Sequence, residues 1–252
     1  MLVRTNAIVL RRLRYSDTSI IATLLTEGRG VESVLAKGAR SPRSRLAAVL
    51  EPLEQIEVQY YVKPGRELQL LRTAERTRLR RSIQSSFEHT VAALRIAELV
   101  LRLELPGHPH AEVYELVEET LAALDAAQSV AVFPVAFALR YAAVHGFSLQ
   151  LDVHDALPSI NHKSQPYILR LDRGTFEPAV LDLAHRGSHV DDVSSIGTHT
   201  VERRTLAALQ TLGRTPLERL GEQQFESSVL EECRGIVERY LEFHFERRLR
   251  RG

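Results

Sequence analysis

The sequence predicts an α+β chain in two parts: a small N-terminal β barrel, then an α-helical bundle interrupted by an irregular insert. Three observations carry this. Hydrophobic periodicity is two up to about residue 78 and three to four from about residue 82. The charge switches at the same place, with 16 Lys and Arg against 8 Asp and Glu in residues 1–81 and 3 against 8 in residues 82–150. Residues 148–199 are rich in His, Asp, Ser and Pro and follow neither period. The reading is therefore a barrel over 1–80 and a helical domain over 81–252, with the insert at about 148–199.

The strands come first. Ile56, Val58, Tyr60 and Val62 alternate with Gln55, Glu57, Gln59 and Tyr61, the pattern of a half-buried strand. Pro64-Gly65 makes a turn before Glu67 to Leu71. Asn6 to Leu10, Ser19 to Thr26 and Val31 to Ala36 precede it, the last two joined by Glu27-Gly28-Arg29-Gly30. Five short strands with glycine at the turns suggest a small closed barrel. An OB-fold is the natural candidate, and an SH3-like barrel would give a similar pattern.

The helices follow. Phe87, Val91, Leu94, Ala97 and Leu101 recur at spacings of three and four, an amphipathic stripe that Pro106-Gly107 breaks. Val113, Val117, Leu121 and Leu124 mark a second helix. Ser129 is the expected N-cap of a third, ending near His145-Gly146. Within the insert, Asp172-Arg173-Gly174 suggests a hairpin anchored by Tyr167, Ile168, Leu169, Leu171 and Phe176. Helical spacing returns at Val201 to Leu212 and at Glu222 to Arg250, where Val229, Cys233, Val237, Tyr240 and His244 share a face.

Composition narrows the function classes. The single cysteine, Cys233, excludes an internal disulfide and suits a reducing cytosol. No signal peptide is expected, and the longest charge-free apolar stretch, Ser129 to Leu139, is too short to span a bilayer. A cytoplasmic protein without membrane partners is the expectation. The net charge of +1 conceals a basic excess of +8 in residues 1–81, which points to a polyanion-binding face on the barrel.

Lys37-Gly38-Ala39-Arg40-Ser41-Pro42-Arg43-Ser44-Arg45 places four cations in nine residues just after a strand. Such a loop offers amides, hydroxyls and guanidinium forks together, the groups that hold phosphate oxygens. Arg11, Arg12 and Arg14 could extend it. The nucleic-acid-binding candidates are thus Arg11, Arg12, Arg14, Lys37, Arg40, Arg43 and Arg45. Tyr15, Tyr60 and Tyr61 are the aromatics of the barrel half, with no Phe and no Trp, so binding is expected to be mainly electrostatic and independent of sequence. No Gly-x-x-x-x-Gly-Lys-Ser/Thr phosphate loop is present. No catalytic residue is identified: His244 on an apolar stripe reads as a core or helix-end residue, and Cys233 as a small buried hydrophobe.

Val9-Leu10-Arg11-Arg12-Leu13-Arg14-Tyr15-Ser16-Asp17, Leu24 to Gly30, Ala36-Lys37-Gly38-Ala39-Arg40 and Ser44-Arg45 form an ordered set. That set resembles the N-terminal signature of the RecO recombination mediators, with Asp17 where the family usually shows Glu. Glu238-Arg239-Tyr240-Leu241-Glu242-Phe243-His244 resembles the end of that family's last helix. The resemblance implies an N-terminal OB-fold, a helical bundle and a zinc-ribbon insert. It implies a non-enzymatic protein that binds single- and double-stranded DNA and anneals complementary strands without ATP. It further implies partnership with RecR and the acidic C-terminal tail of single-strand-binding protein, and promotion of RecA loading at the nucleoid.

The insert departs from that pattern because it contains no cysteine. Asp152, His154, Asp155, His162, Asp182, His185, His189 and His199 lie in it, yet Gly187 argues against a helix that would pair His185 with His189. The expectation is a lost zinc site in a degenerate ribbon and no cofactor, with a His/Asp replacement as the alternative. Arg95, Arg102 and Arg140 are candidate rim charges for an acidic tail, and Arg247 to Arg251 suit the negative end of a helix dipole or could equally bind that tail or DNA. Two other function classes stay open: a generic RNA- or DNA-binding scaffold, and a metal-dependent hydrolase using the insert.

Overall fold

The computed structural model describes residues 1–153, 166–179 and 197–249. Five strands, β1 (Leu2–Arg14), β2 (Ile20–Thr26), β3 (Gly30–Ala36), β4 (Gln55–Tyr61) and β5 (Leu68–Arg78), close into a barrel in the order β1-β2-β3-β5-β4. A short helix, α1 (Leu46–Val49), lies between β3 and β4. The crossover that sets β5 parallel to β3 and returns β4 to β1 is the Greek-key order of an OB-like barrel, which decides between the two barrel types the periodicity allowed. β1 and β5 are longer than their apolar cores suggest because their polar ends continue the ladder. Ala7, Val9, Ile20, Ala22, Leu24, Val34, Ile56, Val58 and Tyr60 fill the interior, each buried large aliphatic contributing roughly 1.5–3 kcal/mol.

Residues 1–130 form one compact unit, which includes α2 (Arg81–Ser85), α3 (Phe87–Leu103) and α4 (Ala111–Ala126). Ser86 separates α2 from the expected first helix, α3: its backbone is extended and its side chain accepts from the His89 N–H. The face that α3 buries is Ala92, Ala93, Ile96, Ala97, Val100 and Leu103. Of the expected stripe, Ala97 is buried and Val91 and Leu101 are half-buried, while Phe87, 82% exposed, and Leu94, 40% exposed, look outward. The buried face mixes alanines with Ile96, Leu99, Val100 and Leu103, and α3 packs against β1 and α4.

A polar chain ties the barrel to α4. The buried Arg80 guanidinium donates to Gln55 Oε1 (2.8 Å), and Gln55 Nε2 donates to Glu118 Oε1 (2.8 Å). Burial lowers the Arg80 pKa, with Arg78 adding to the effect. The loop before α4 is held by the Gly107 N–H donating to the Val31 carbonyl (3.0 Å).

Residues 131–252 form the second unit. It contains α5 (Phe133–Val144), a three-stranded sheet of β6 (Tyr167–Arg170), β7 (Thr175–Pro178) and β8 (Thr198–Val201), then α6 (Arg203–Arg214), a 3-10 turn (Leu217–Glu222) and α7 (Ser227–Leu249). Ser129 does not cap α5: Val132 occupies the N-cap position, and Pro134 fixes the first turn three residues later than expected. Val201 is the last residue of β8, so α6 begins two residues further on. The β6–β7 hairpin turns at Leu171–Gly174 as expected, with Tyr167, Leu169, Leu171 and Phe176 buried.

On α7, Val229, Cys233, Val237 and Tyr240 are buried together, and His244 Nε2 lies 2.8 Å from the Leu171 carbonyl with its ring stacked on Phe147. His244 is thus a hydrogen-bonded packing residue. Burial, then Glu232, pushes the Cys233 thiol up to about 12, and burial pushes the Tyr240 phenol up to about 12. Both groups keep their protons in the folded protein at pH values where the unfolded chain loses them. Their contribution to stability is therefore full below about pH 8.5 and is lost as pH rises toward 12. Native protein at pH 8 is expected to resist iodoacetamide for hours and to be alkylated within minutes once unfolded in guanidinium. Rapid native alkylation, read by intact mass, would contradict the buried placement.

Candidate nucleic-acid interface

A β-bulge between Val9 and Arg11 shifts the register of β1 against β2, and this sorts the three arginines of the strand. Arg12 and Arg14 stand opposite Ala22 and Ile20 and so fall on the side of the core residues. Arg11 and Leu13 stand opposite Thr23 and Ile21 and face outward. Arg12 is engaged within the fold: it donates to the Ala47 carbonyl (3.0 Å) and pairs with Glu51 (2.6 Å), closing α1 over the barrel end. Arg14 is exposed at that same end, and Arg11 is exposed on the outer face.

The loop after β3 is pinned rather than loose. Gly38 takes a left-handed backbone (φ +67°), which lets Ala39 drop fully into the barrel core. The Arg40 N–H donates to the Thr18 carbonyl (2.9 Å), and its guanidinium donates to the Ser16 carbonyl (3.2 Å). Two tight turns follow, with the Ser41 N–H on Gly38 (3.0 Å) and the Ser44 N–H on Ser41 (3.0 Å). This folding leaves Lys37, Arg43 and Arg45 projecting into solvent, with no carboxylate partner among the described residues. Tyr15, 61% exposed, belongs to the same β1–β2 turn that Arg40 grips.

Of the seven candidate cations, Arg14, Lys37, Arg40, Arg43 and Arg45 therefore gather around one end of the barrel. Arg12 is brought there but held by Glu51, and Arg11 faces away. Unpaired cations on a hydrogen-bonded frame are suited to phosphate contact, since the charge is available and little ordering remains to be done. Lys63 and Arg66 flank the β4–β5 turn at a cleft that Lys37 also lines. The Pro64-Gly65 turn between them was the sequence signal that could have found these two.

Other candidates are placed as follows. Arg95 and Arg102 are exposed on α3. Arg140 donates to carbonyls of Ala136 (2.9 Å), Leu212 (3.3 Å) and Thr215, so it caps the C-terminal end of α6 and is unavailable as a rim charge. Asp152 pairs with Arg214, and His199 Nδ1 lies 3.0 Å from Arg239 Nη1. Burial, then Arg239, lowers the His199 pKa. These two of the eight candidate metal ligands are thus engaged by arginines. His154, Asp155, His162, Asp182, His185 and His189 lie outside the described residues, as do the side chains of Arg247, Arg248, Arg250 and Arg251. Among the described residues, no helix is long and apolar enough to cross a membrane.

Comparison with known proteins is consistent along the whole chain. The family model described as Recombination protein O N terminal matches residues 1–80, and Recombination protein O C terminal matches residues 84–165 and 166–251. A DNA repair protein RecO of Salinibacter ruber is 28% identical over 246 residues, covering 97% of this chain and 89% of the relative. One from Chloroherpeton thalassium is 28% identical over 254 residues, covering 98% and 94%. One from Rhodopirellula baltica is 36% identical over 131 residues, covering 52% and 48%.

Proposed function

Because the chain belongs to the RecO family of DNA repair proteins, we propose that it is a non-enzymatic mediator that binds single- and double-stranded DNA and anneals complementary strands without ATP. With RecR and single-strand-binding protein it would promote RecA loading, acting in the cytoplasm at the nucleoid. The observation that carries the DNA-binding part is the set of exposed cations, Arg14, Lys37, Arg43 and Arg45, at one end of an OB-like barrel.

The physical route is charge neutralisation. Each lysine or arginine set against a phosphate releases condensed counterions, so affinity falls steeply with salt and hardly depends on base identity. A surface that neutralises two strands at once lowers their mutual repulsion, and base pairing then supplies the free energy of annealing. For the acidic tail of single-strand-binding protein, Phe87 and Leu94, which α3 turns outward, offer apolar contacts, with the exposed Arg95 next to Leu94 as a cation.

Annealing of short complementary oligonucleotides, without ATP and with and without single-strand-binding protein, tests the reading. Acceleration that survives chelator and falls with salt is expected, together with substoichiometric zinc in protein purified without a polyhistidine tag. A generic nucleic-acid scaffold would bind without annealing, and a metal-dependent hydrolase would consume substrate and stop when chelated. Either result would overturn the mediator assignment.

A further inference from the structure

The outer surface of the barrel carries an apolar row that no strand needs for its own core. Cross-strand register sets Leu2 opposite Tyr61, Tyr61 opposite Leu70, and Leu70 opposite Leu35. Tyr60 is fully buried, so alternation turns Tyr61 outward, where it is 41% exposed; Leu70 is 39% exposed. Tyr61, Leu70 and Leu35 line an open cleft of about 880 Å³ at the β4–β5 turn, which Lys37, Lys63 and Arg66 also line, against one carboxylate, Glu67. An outward aromatic among aliphatics is a costly surface to leave in water, and the cations beside it specify the charge of what covers it.

We propose that this cleft is a stacking subsite for unpaired bases of a single strand, with Tyr61 as the platform and Lys37, Lys63 and Arg66 on the flanking phosphates. It rests on the nucleic-acid reading above and adds to it a preference that the basic loop cannot supply. Phosphate contacts alone hold single strands and duplexes alike, whereas a base can stack on a side chain only when it is not already stacked in a helix. Lys37 belongs to both the loop and the cleft, so one strand can run from the phosphate-binding loop into the stacking site without a break. Any base has a π face, so the subsite discriminates strandedness and not sequence.

Fluorescence anisotropy of the full-length protein with labelled dT20, a 20-base-pair duplex and an abasic chain of equal phosphate number tests this. Wild type is expected to bind dT20 more tightly than the abasic chain. Tyr61→Ala should lose roughly tenfold or more on dT20, while keeping its salt slope and its duplex affinity. Tyr61→Phe should restore dT20 binding. Lys63→Ala with Arg66→Ala should instead lower the single-strand salt slope by about 0.7 per contact. If wild type binds neither DNA, the nucleic-acid reading itself fails. If it binds both but treats dT20 and the abasic chain alike, or if Tyr61→Ala leaves dT20 binding unchanged, only the stacking subsite is overturned, and the cleft covers something other than bases.

Discussion

Replacing Lys37, Arg43 and Arg45 together by alanine is expected to weaken DNA binding about a hundredfold at 0.1 M salt and to lower the single-strand log–log salt slope by about 2. Each lost phosphate contact forfeits roughly 0.7 of slope on a single strand, which at that salt is about 0.7 of a decade in affinity. The three positions suit the test because they are exposed and make no ion pair among the described residues, so the fold loses nothing with them. Arg40 is left intact because its guanidinium and its N–H hold the loop to Ser16 and Thr18. Arg12→Ala is the contrast: it removes the contacts to Ala47 and Glu51 and should cost about 1 kcal/mol of stability while changing affinity little. A triple variant with wild-type affinity and slope would remove the basic loop from the interface.

The largest expected effect on stability comes from Gly30→Ala. Gly30 opens β3 with φ at +68°, and a Cβ added there would lie 2.0 Å from the His108 carbonyl oxygen and 2.8 Å from its carbon. Both are backbone atoms of a loop fixed to Val31 by the Gly107 hydrogen bond and by a parallel bridge at Pro106. The left-handed conformation alone costs an L-residue about 1–2 kcal/mol. With the displacement of the α3–α4 connection added, a loss of about 3–5 kcal/mol is expected in urea unfolding. Gly28 stands two residues earlier in the same turn, without a positive φ, and a Cβ added there would meet no atom within 4 Å. Gly28→Ala should therefore stay within about 0.5 kcal/mol of wild type. Equal effects at the two glycines would show that the close approach at His108 is not what Gly30 is for.

These two expectations draw on different parts of the chain's legibility. The basic loop could be read directly, because four cations among Gly, Ser and Pro cannot continue the strand, although α1, which starts at Leu46 with Arg45 as its N-cap, was not legible. Nothing within the turn Glu27 to Gly30 distinguishes its two glycines, because the atom that makes Gly30 indispensable belongs to His108, seventy-eight residues away. Arg11, Arg12 and Arg14 read as one patch for a related reason. Their division between two faces follows from a bulge against β2, which the strand's own residues do not announce.

By itself the sequence determined the elements that local chemistry controls. The alternation of Ile56, Val58 and Tyr60, the β6–β7 hairpin at Gly174, and the buried stripe of Val229, Cys233, Val237 and Tyr240 are all periodicities the backbone must obey once formed. Its ordered basic and glycine motifs also carried the family. Tertiary structure alone decided that α3 leaves Phe87 and Leu94 exposed, that Arg140 serves α6, and that Tyr61, Leu70 and Leu35 meet at one cleft. Those outcomes depend on register and on closure of the barrel, which are set by contacts between distant segments. Period fixes the face a side chain takes on its own element, and only the partner element fixes what that face meets.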